Sequence, residues 1–591
     1  MLEFAELFSD ESIIKRLCRI RIKQAGSRHK RLFHRQISSD APAPETSEPA
    51  NLFPPRRQWN RFRKKQRDPA SQEDQNLIAL TRATLYLRTV DPAAPWVRRL
   101  NERVRAIQER VLTTSTFAFV PPSIRGEAKT PGSCEYRAIA QFSDDDQIIE
   151  GLTARYFGIT FDTLFTSSSL AFRRGSHGIP PPTHHDAVLS IENYRRRHLK
   201  TGLYVAECDI KGFFDCVSHS IAHCALANLI KQATKRNPAF QIDARAYQVF
   251  EAYLDAYTFP DNVKGIAEPQ LKRKCGEAAH YKWPEVALRE FHPNPDTTAI
   301  GIPQGGSLSC FIANCVLHQA DLEVRRSRSR TPGPFRYLRY CDDMVIIAPD
   351  QRSCRVAFEA YQDALRQLQL PVHAPADVET YNAAFWDGKS RQPYQWARPL
   401  SVTTVPWLQF VGYQIRHDGM LRIKKKSVEK HKRKILVETN YLLRTLAPTR
   451  PTPTLPLTFA PGLRKNAHEI IHRFRQKLIA MSVGRRDLHH DLGQLMSKCW
   501  AAGFRMAHGR RLPLNALKEL DRFRERQIAR IRSAIRRMPR VTPSGKKAKR
   551  VRTYPFYGFP FSYVGQFAPK GKVPTSRNRR VEDRGVESGG R

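Results

Sequence analysis

No run of about eighteen apolar residues occurs in this 591-residue chain, which argues against a transmembrane helix. The start, MLEFAELFSDESIIKRLCRI, lacks the layout of a signal peptide, because acids and bases interrupt its apolar stretch. A cytoplasmic location is the expectation. The 11 cysteines contain no Cys-x-x-Cys, and His184-His185 and His489-His490 lack partners at zinc-ligand spacing. That argues against a zinc site. Cys208, Cys310 and Cys315 sit in apolar runs and read as small core residues. No internal repeat is visible. Acidic residues are scarce: 56 Asp+Glu face 99 Lys+Arg, a net charge of +43. Such a surplus calls for a polyanionic partner, and without a membrane segment nucleic acid is the stronger choice.

Hydrophobic residues make up 41% of the chain, so most of it can fold around buried cores. Its length suits roughly three to four domains. Residues 1–38 read as a basic amphipathic segment, and 39–56, rich in Pro, Ser and Ala, as a linker. Residues 57–67 mix Arg and Lys with Trp59 and Phe62, which suits either nucleic acid or a solvated basic face. Residues 75–113 show helical spacing. From 115 to 350 short β-like runs (LYVAECDI, FRYLRY, MVIIA) alternate with helical stretches. The polar, Pro-containing part at 259–296 reads as an inserted loop or subdomain. Residues 351–370 read as an amphipathic helix, 407–423 as a hairpin turning at His417-Asp418-Gly419, and 424–446 and 463–540 as basic helices. The tail carries one aromatic cluster at 553–567, able to dock on the body or stack on single strands. The expected order is an N-terminal basic extension (1–114), a mixed α+β body (115–423), a helical basic domain (424–540) and a basic aromatic tail (541–591).

Two places carry chemistry. In LYVAECDIKGFFD, residues 203–215, an apolar strand runs into Asp209 and Gly212 breaks it. On a strand Glu207 and Asp209 share a face. A carboxylate at the end of a buried strand is costly unless compensated, and a divalent cation would compensate it. Alone, Asp209 reads better as a cap at a strand-to-helix junction. In FRYLRYCDDMVIIA, residues 335–348, two apolar strands flank a tight turn bearing Asp342 and Asp343. Adjacent aspartates repel, so each is hard to keep ionised without a cation nearby. Two metal ions about 3.5–4 Å apart, bridged by such carboxylates, activate a 3′-hydroxyl and stabilise a leaving pyrophosphate. Aspartate oxygens suit magnesium.

Asp-Ile-Lys-Gly-Phe-Phe-Asp (209–215), Gly-Ile-Pro-Gln-Gly-Gly-Ser (301–307) and Tyr-Cys-Asp-Asp (340–343) occur in the order of the A, B and C motifs that they resemble, those of the reverse-transcriptase palm. Tyr136-Arg137 and Phe172-Arg173-Arg174-Gly175-Ser176 are similar to fingers motifs, and Leu408-Gln-Phe-Val-Gly-Tyr413 to the primer-grip hairpin. The resemblance spans about 115–425. It implies an α+β right-hand polymerase with fingers and palm followed by a helical basic thumb. Asp209, Asp342 and Asp343 would hold two magnesium ions, or manganese, with the Ile210 backbone as a further ligand. Phe214 would be the aromatic gate that excludes a 2′-hydroxyl. Arg137, Lys129, Gln304, Gly305 and Tyr340 would surround the nucleotide. Phe410, Gly412 and Tyr413 would grip the primer. Arg173, Lys424, Lys425 and Lys426 would hold nucleic acid. One departure stands out: after Leu370-Pro-Val-His the motif D lysine is absent, and Lys389 could replace it after an insertion.

No endonuclease or RNase H pattern follows the thumb, which argues against retroviral and full-length intron-encoded enzymes. The body is similar to bacterial reverse transcriptases of the retron and group II intron branch. Residues 415–427 and the long extensions look most like defence-associated enzymes, in particular the larger polymerase of the type 3 two-polymerase systems. That resemblance implies an RNA template, a DNA product, deoxynucleoside triphosphates, a noncoding RNA, a second reverse transcriptase and an anti-phage role. Rival readings are a group II intron maturase, a template-independent nucleotidyltransferase and a non-catalytic RNA-binding scaffold.

Overall fold

Apolar residues three and four apart build the N-terminal helices. In the computed structural model, α1 (Asp10–Arg35), α2 (Arg56–Trp59), α3 (Gln72–Val90) and α4 (Pro95–Leu112) precede the first strand. In α4 Val97, Leu100, Val104, Ile107 and Val111 are buried, one helical face, and Pro95 stands in the first turn, where no amide partner is needed. The structure describes residues 3–35, 52–62, 72–129, 132–175, 181–198, 202–378, 385, 387–398, 404–446, 471, 474, 475, 478 and 515–537. Most of the 39–56 linker, residues 63–67 of the basic aromatic stretch, Ser176, most of 463–514 and the aromatic tail lie outside them. Among the described residues no helix is long and apolar enough to cross a membrane.

Next come β1 (Ser123–Ala128), β2 (Glu135–Gln141), α5 (Asp144–Phe161), α6 (His184–Arg197), β3 (Leu203–Cys208), α7 (Phe213–Cys216), α8 (His219–Arg236), α9 (Ala244–Asp255), α10 (Glu268–Cys275), β4 (His280–Tyr281), α11 (Glu285–Leu288) and α12 (Ser307–Arg326). β1 and β2 pair antiparallel, and β4 adds to β2 in parallel. The 259–296 stretch is therefore a packed subdomain rather than a loop. Its Phe259, Val263, Leu271 and Tyr281 form a small core with Ala138 and Ala140 of β2.

The main sheet combines β3 with β5 (Arg336–Tyr340), β6 (Asp343–Ala348), β7 (Pro375–Ala376), β8 (Ser390–Trp396) and β9 (Thr404–Val405), in the order β5-β6-β3-β8-β7 with β9 beside β8. Helix α13 (Gln351–Gln367) follows β6. A smaller antiparallel sheet holds β10 (Trp407–Phe410), β11 (Tyr413–Arg416) and β12 (Leu421–Ile423), and helices α14 (Lys425–Leu446) and α15 (Asn515–Arg536) come after it. The 407–423 stretch thus makes three strands, not the two of a hairpin. It turns at His417–Gly419 as expected, and again at Val411-Gly412.

The main sheet is buried on both faces, which is why β3 and β6 read as nearly unbroken apolar runs. Ala206, Cys208, Met344, Ile346 and Ala348 point into the core shared with α5, α8, α12 and α13. Leu203, Val205, Val345 and Ile347 point the other way, into a core shared with the small sheet, α14 and α15. Side chains alternate along a strand. Odd-numbered positions of β3 and β6 therefore face the small sheet and α14, and Glu207, Asp209 and Asp343 are on that side. The fold is α+β, mixed helices and sheets, as the sequence predicts.

Candidate active site

β3 and β6 pair antiparallel with Cys208 opposite Met344, so one step further Asp209 comes opposite Asp343. β5 and β6 are joined by the two residues Cys341 and Asp342, since Tyr340 pairs with Asp343. Cys341 has φ +60°, the left-handed conformation that the first loop residue of a type II′ turn requires. A cysteine there is strained. Arg339 supports the turn from beneath, donating to the Cys341 carbonyl at 3.0 Å. The sequence motifs thus converge: three carboxylates meet at one sheet edge, two on strand ends and one on the turn between them.

Their electrostatics favour a cation. Burial and the nearby Asp209 charge raise the Asp342 carboxyl. Asp343 is exposed to the cleft, yet crowding by surrounding protein, with Asp342 and Asp209 beside it, pushes its carboxyl up to about 7. Lys424 and Lys389 pull in the opposite direction. Lys389 forms an ion pair with Asp209 through Nζ, and His373 Nε2 is 3.5 Å from the same oxygen. Burial and the Lys389 charge push the His373 imidazole down to about 4, so near neutral pH it faces Asp209 uncharged. Among the described residues no three His, Cys, Asp or Glu side chains are grouped to hold a metal as they stand. The donor set nevertheless fits a divalent ion: hard oxygens, mutual repulsion, and an ammonium already on Asp209. Loading would require Lys389 to leave that carboxylate.

Asp209 is fixed by its backbone. Its amide donates to Ser390 Oγ at 3.0 Å and its carbonyl accepts from the His373 amide at 3.1 Å. Ile210 bridges to Val372 with its side chain buried. Glu207, on the same face, is committed elsewhere. It pairs with buried Arg391 and accepts from Tyr394 Oη at 2.8 Å. Ser390 and Arg391 belong to no sequence motif, although Tyr394 and Trp396 alternating with polar residues in SRQPYQW mark their strand, while His373 ends the Leu370-Pro-Val-His run.

The other predicted residues divide between clefts and core. Lys129 and Arg137 lie on the β1–β2 hairpin and line a cleft of about 1130 Å³ with Gln409, Gln414, Arg422 and the Lys424–Lys426 run. Lys424 also joins Phe410, Val411 and Gly412 around a cleft of about 360 Å³ that holds Asp209 and Asp343. Val411 and Gly412 both have positive φ, +42° and +85°, as a two-residue type I′ turn needs. Phe410 and Tyr413 flank that turn buried, Tyr413 Oη lying 3.0 Å from His185 Nδ1. Tyr340 is half-buried, with His184 edge-on to its ring.

The Gln304 carbonyl accepts from the Ala140 amide at 3.0 Å and clips the 301–307 loop to β2. The buried Oε1 of Gln304 has no hydrogen-bond partner, so an acceptor is available there. Gly305 has φ +120° and a Cβ would sit 3.3 Å from the Ala140 carbonyl, so only glycine fits the close approach. Phe214 is half-buried and edge-on to Phe213 at 5.3 Å, and it packs against the main core. Its neighbour Asp215 has an unpartnered buried Oδ1. Burial raises that carboxyl to about 7 against the pull of Arg137. Arg173 is not placed for a ligand. Its guanidinium bonds Asp162 at 2.9 Å and the Thr166 and Ser169 carbonyls, also at 2.9 Å, which makes it a loop brace. Arg174, next to it, lines a separate cleft.

Residues 128–375 match the family model described as reverse transcriptase (RNA-dependent DNA polymerase). No curated protein matches the chain. Among solved structures it is similar to apo telomerase from Candida tropicalis, with 11% identity over 90% of this chain and 83% of that one and a TM-score of 0.34. A form of that telomerase truncated from its C-terminal domain shares 13% identity over 60% and 69%, with a TM-score of 0.30. Telomerase from Candida albicans, in complex with a TWJ fragment of telomeric RNA, shares 10% over 79% and 71%, with a TM-score of 0.28. The matched segment is the one that brings Asp209, Asp342 and Asp343 to a single sheet edge: it is a reverse transcriptase domain, and the chain is an RNA-directed DNA polymerase.

Proposed function

We propose that Asp209, Asp342 and Asp343 hold two divalent cations, magnesium or manganese, for addition of deoxynucleotides to a 3′-hydroxyl. The observation that carries this is the strand register, which sets Asp209 opposite Asp343 with Asp342 on the connecting turn. The bound metals would supply Lewis acidity at the attacking and leaving oxygens. The protein's own groups do the rest. Arg137 and Lys129 on the hairpin reach toward the triphosphate. Gln304 and Gly305 offer backbone and an amide to the new base pair. Phe214 gates the sugar. Lys389, now on Asp209, is placed to turn to the leaving phosphate oxygens and so to replace the absent motif D lysine. The turn at Val411-Gly412 and the lysines at 424–426 position the primer. In this reading 115–423 are fingers and palm and 424–540 a thumb, flanked by the 1–114 extension and the 541–591 tail.

The test is extension of a primed RNA template with magnesium and deoxynucleotides. Asp209→Asn and Asp342→Asn should each cut extension by roughly a thousandfold or more, about 4 kcal/mol of transition-state stabilisation, without loss of template binding. Undiminished extension in either variant would reject the assignment. The finer reading is a bacterial, defence-associated enzyme working with a noncoding RNA and a second reverse transcriptase in the cytoplasm. It is supported by the 415–427 motif and the long extensions, and sequencing of the co-purified RNA tests it.

A further inference from the structure

A third cleft, of about 270 Å³, opens between α1, α5 and the start of α12. Two glycines shape it. A Cβ on Gly151 would lie 3.1 Å from Arg16 Nη1, and one on Gly158 would lie 2.9 Å from Arg174 Cδ. The two arginines therefore rest on one face of α5, against glycines seven residues apart. Exposed Arg155 stands on that face between them, four residues past Gly151 and three before Gly158. Seven residues of helix span roughly 10.5 Å, too far for both end cations to grip one phosphate. The spacing describes a line of positive charge rather than a pocket for a single anion.

Nearby acids are already committed. Asp162 is bound by Arg173 at 2.9 Å and by the Arg174 amide at 3.1 Å. Glu150 accepts from the Leu308 amide at 2.8 Å. The cations consequently feel each other: burial, then the Arg19 charge, lower the Arg16 guanidinium, and burial, then Arg155, lower that of Arg174. At the mouth Phe172 leaves 46% of its surface in solvent and adopts φ +56°, a conformation rare for a bulky residue. An outward aromatic beside a row of cations suits a polymer with both charges and flat rings.

We infer that this cleft is a track for single-stranded nucleic acid, with Arg16, Arg155 and Arg174 holding successive phosphates and Phe172 stacking on a base. The inference deepens the polymerase reading, since the strand would be the unpaired part of the template. It also gives α1 of the N-terminal extension a ligand-binding residue.

The experiment is fluorescence anisotropy with full-length protein and three probes: a short single-stranded RNA, a primer–template with an unpaired template end, and the same duplex blunt-ended. Arg155 and Phe172 are exposed, so Arg155→Glu and Phe172→Ala should fold. Phe172→Ala should weaken the first two probes at least roughly fivefold, the low end of a stacking loss. Arg155→Glu should weaken the same two probes and lower the salt slope by about 0.7. The blunt duplex should be held within about twofold. Wild-type affinity of both variants for the single strand would overturn the track, as would equal loss on the blunt duplex. Displacement by a polyglutamate peptide as effective as by RNA would also overturn it, in favour of an acidic protein. Asp342→Asn should bind all three probes normally, so a failed polymerase assignment and a failed track give different results.

Discussion

Arg339 has no exposed surface, and its guanidinium makes five hydrogen bonds. It donates to Asp321 through Nε at 2.8 Å and Nη2 at 2.6 Å, to Ser169 Oγ at 2.9 Å, to the Cys341 carbonyl at 3.0 Å and to Asn314 Oδ1 at 3.3 Å. Tyr337 Oη adds a bond to Asp321 at 2.7 Å. A planar fork can serve α12, the 169 loop and the carboxylate turn at once, and an ammonium cannot. Removing one partner of a buried pair costs about 3–5 kcal/mol, so Arg339→Met should fold poorly. Arg339→Lys keeps the charge and releases the Cys341 carbonyl. We expect it to raise the magnesium concentration needed for half-maximal extension several-fold, with a smaller effect at saturating metal. A magnesium titration beside a thermal melt measures this, and an unchanged metal requirement in folded protein would show that Arg339 does not position the turn. The sequence shows Arg339 plainly in RYCDD, but not that α12 brings Asp321 under it.

Helix α12 begins at Ser307 with Gly306 as its cap, so no cap side chain meets its first amides. Glu150, from the middle of α5, does so instead, accepting from Leu308 at 2.8 Å. Burial pushes this carboxyl up to about 7 even though the amides and Arg16 pull it down. Its folded pKa is therefore above its ordinary 4.5. Between those values the native state keeps a proton that the unfolded chain has lost, so stability is fullest below pH 4.5 and falls as pH rises toward about 7. The fall is at most about 3 kcal/mol from this group. Glu150→Gln keeps an acceptor and cannot ionise, so its melting temperature should decline less across that window. Some slope should survive, because Asp215 is raised in the same direction. Identical pH profiles would mean Glu150 ionises freely. Periodicity located α13 well: the helix expected at 351–370 runs from Gln351 to Gln367. It missed the third strand in 407–423 because Val411, a poor turn former, occupies the φ +42° corner.

At the scale of the molecule, the largest of these clefts brings three distant stretches together: the β1–β2 hairpin, the small sheet and α14. Arg422 stacks on Trp407 at 3.6 Å from the ring centre, and Lys430, Arg433 and Lys434 extend the positive wall. Such a surface binds through phosphates and should be strongly salt-dependent. Lys430→Glu with Lys434→Glu should weaken primer–template duplex binding and lower the slope of log K against log salt by about 0.9 for each phosphate no longer neutralised. A wild-type slope would place the duplex elsewhere.

What the chain's residues determine alone is the chemistry and its order. Strand alternation, the Asp-Asp turn and the three motifs in sequence single out the carboxylates proposed to hold the metals, because that proposal needs only local pattern and side-chain type. The surplus of 43 positive charges likewise points to nucleic acid before any fold is known. Tertiary structure decided which charges are available. It ties Arg173 to Asp162 and turns Arg174 to a cleft, and it returns Lys389 from the end of an insertion to Asp209. It also pairs Glu207 with Arg391 rather than leaving it at the carboxylate cluster. Those outcomes depend on pairings between residues far apart in the chain, such as the 180 positions separating Lys389 from Asp209, and no local pattern encodes them.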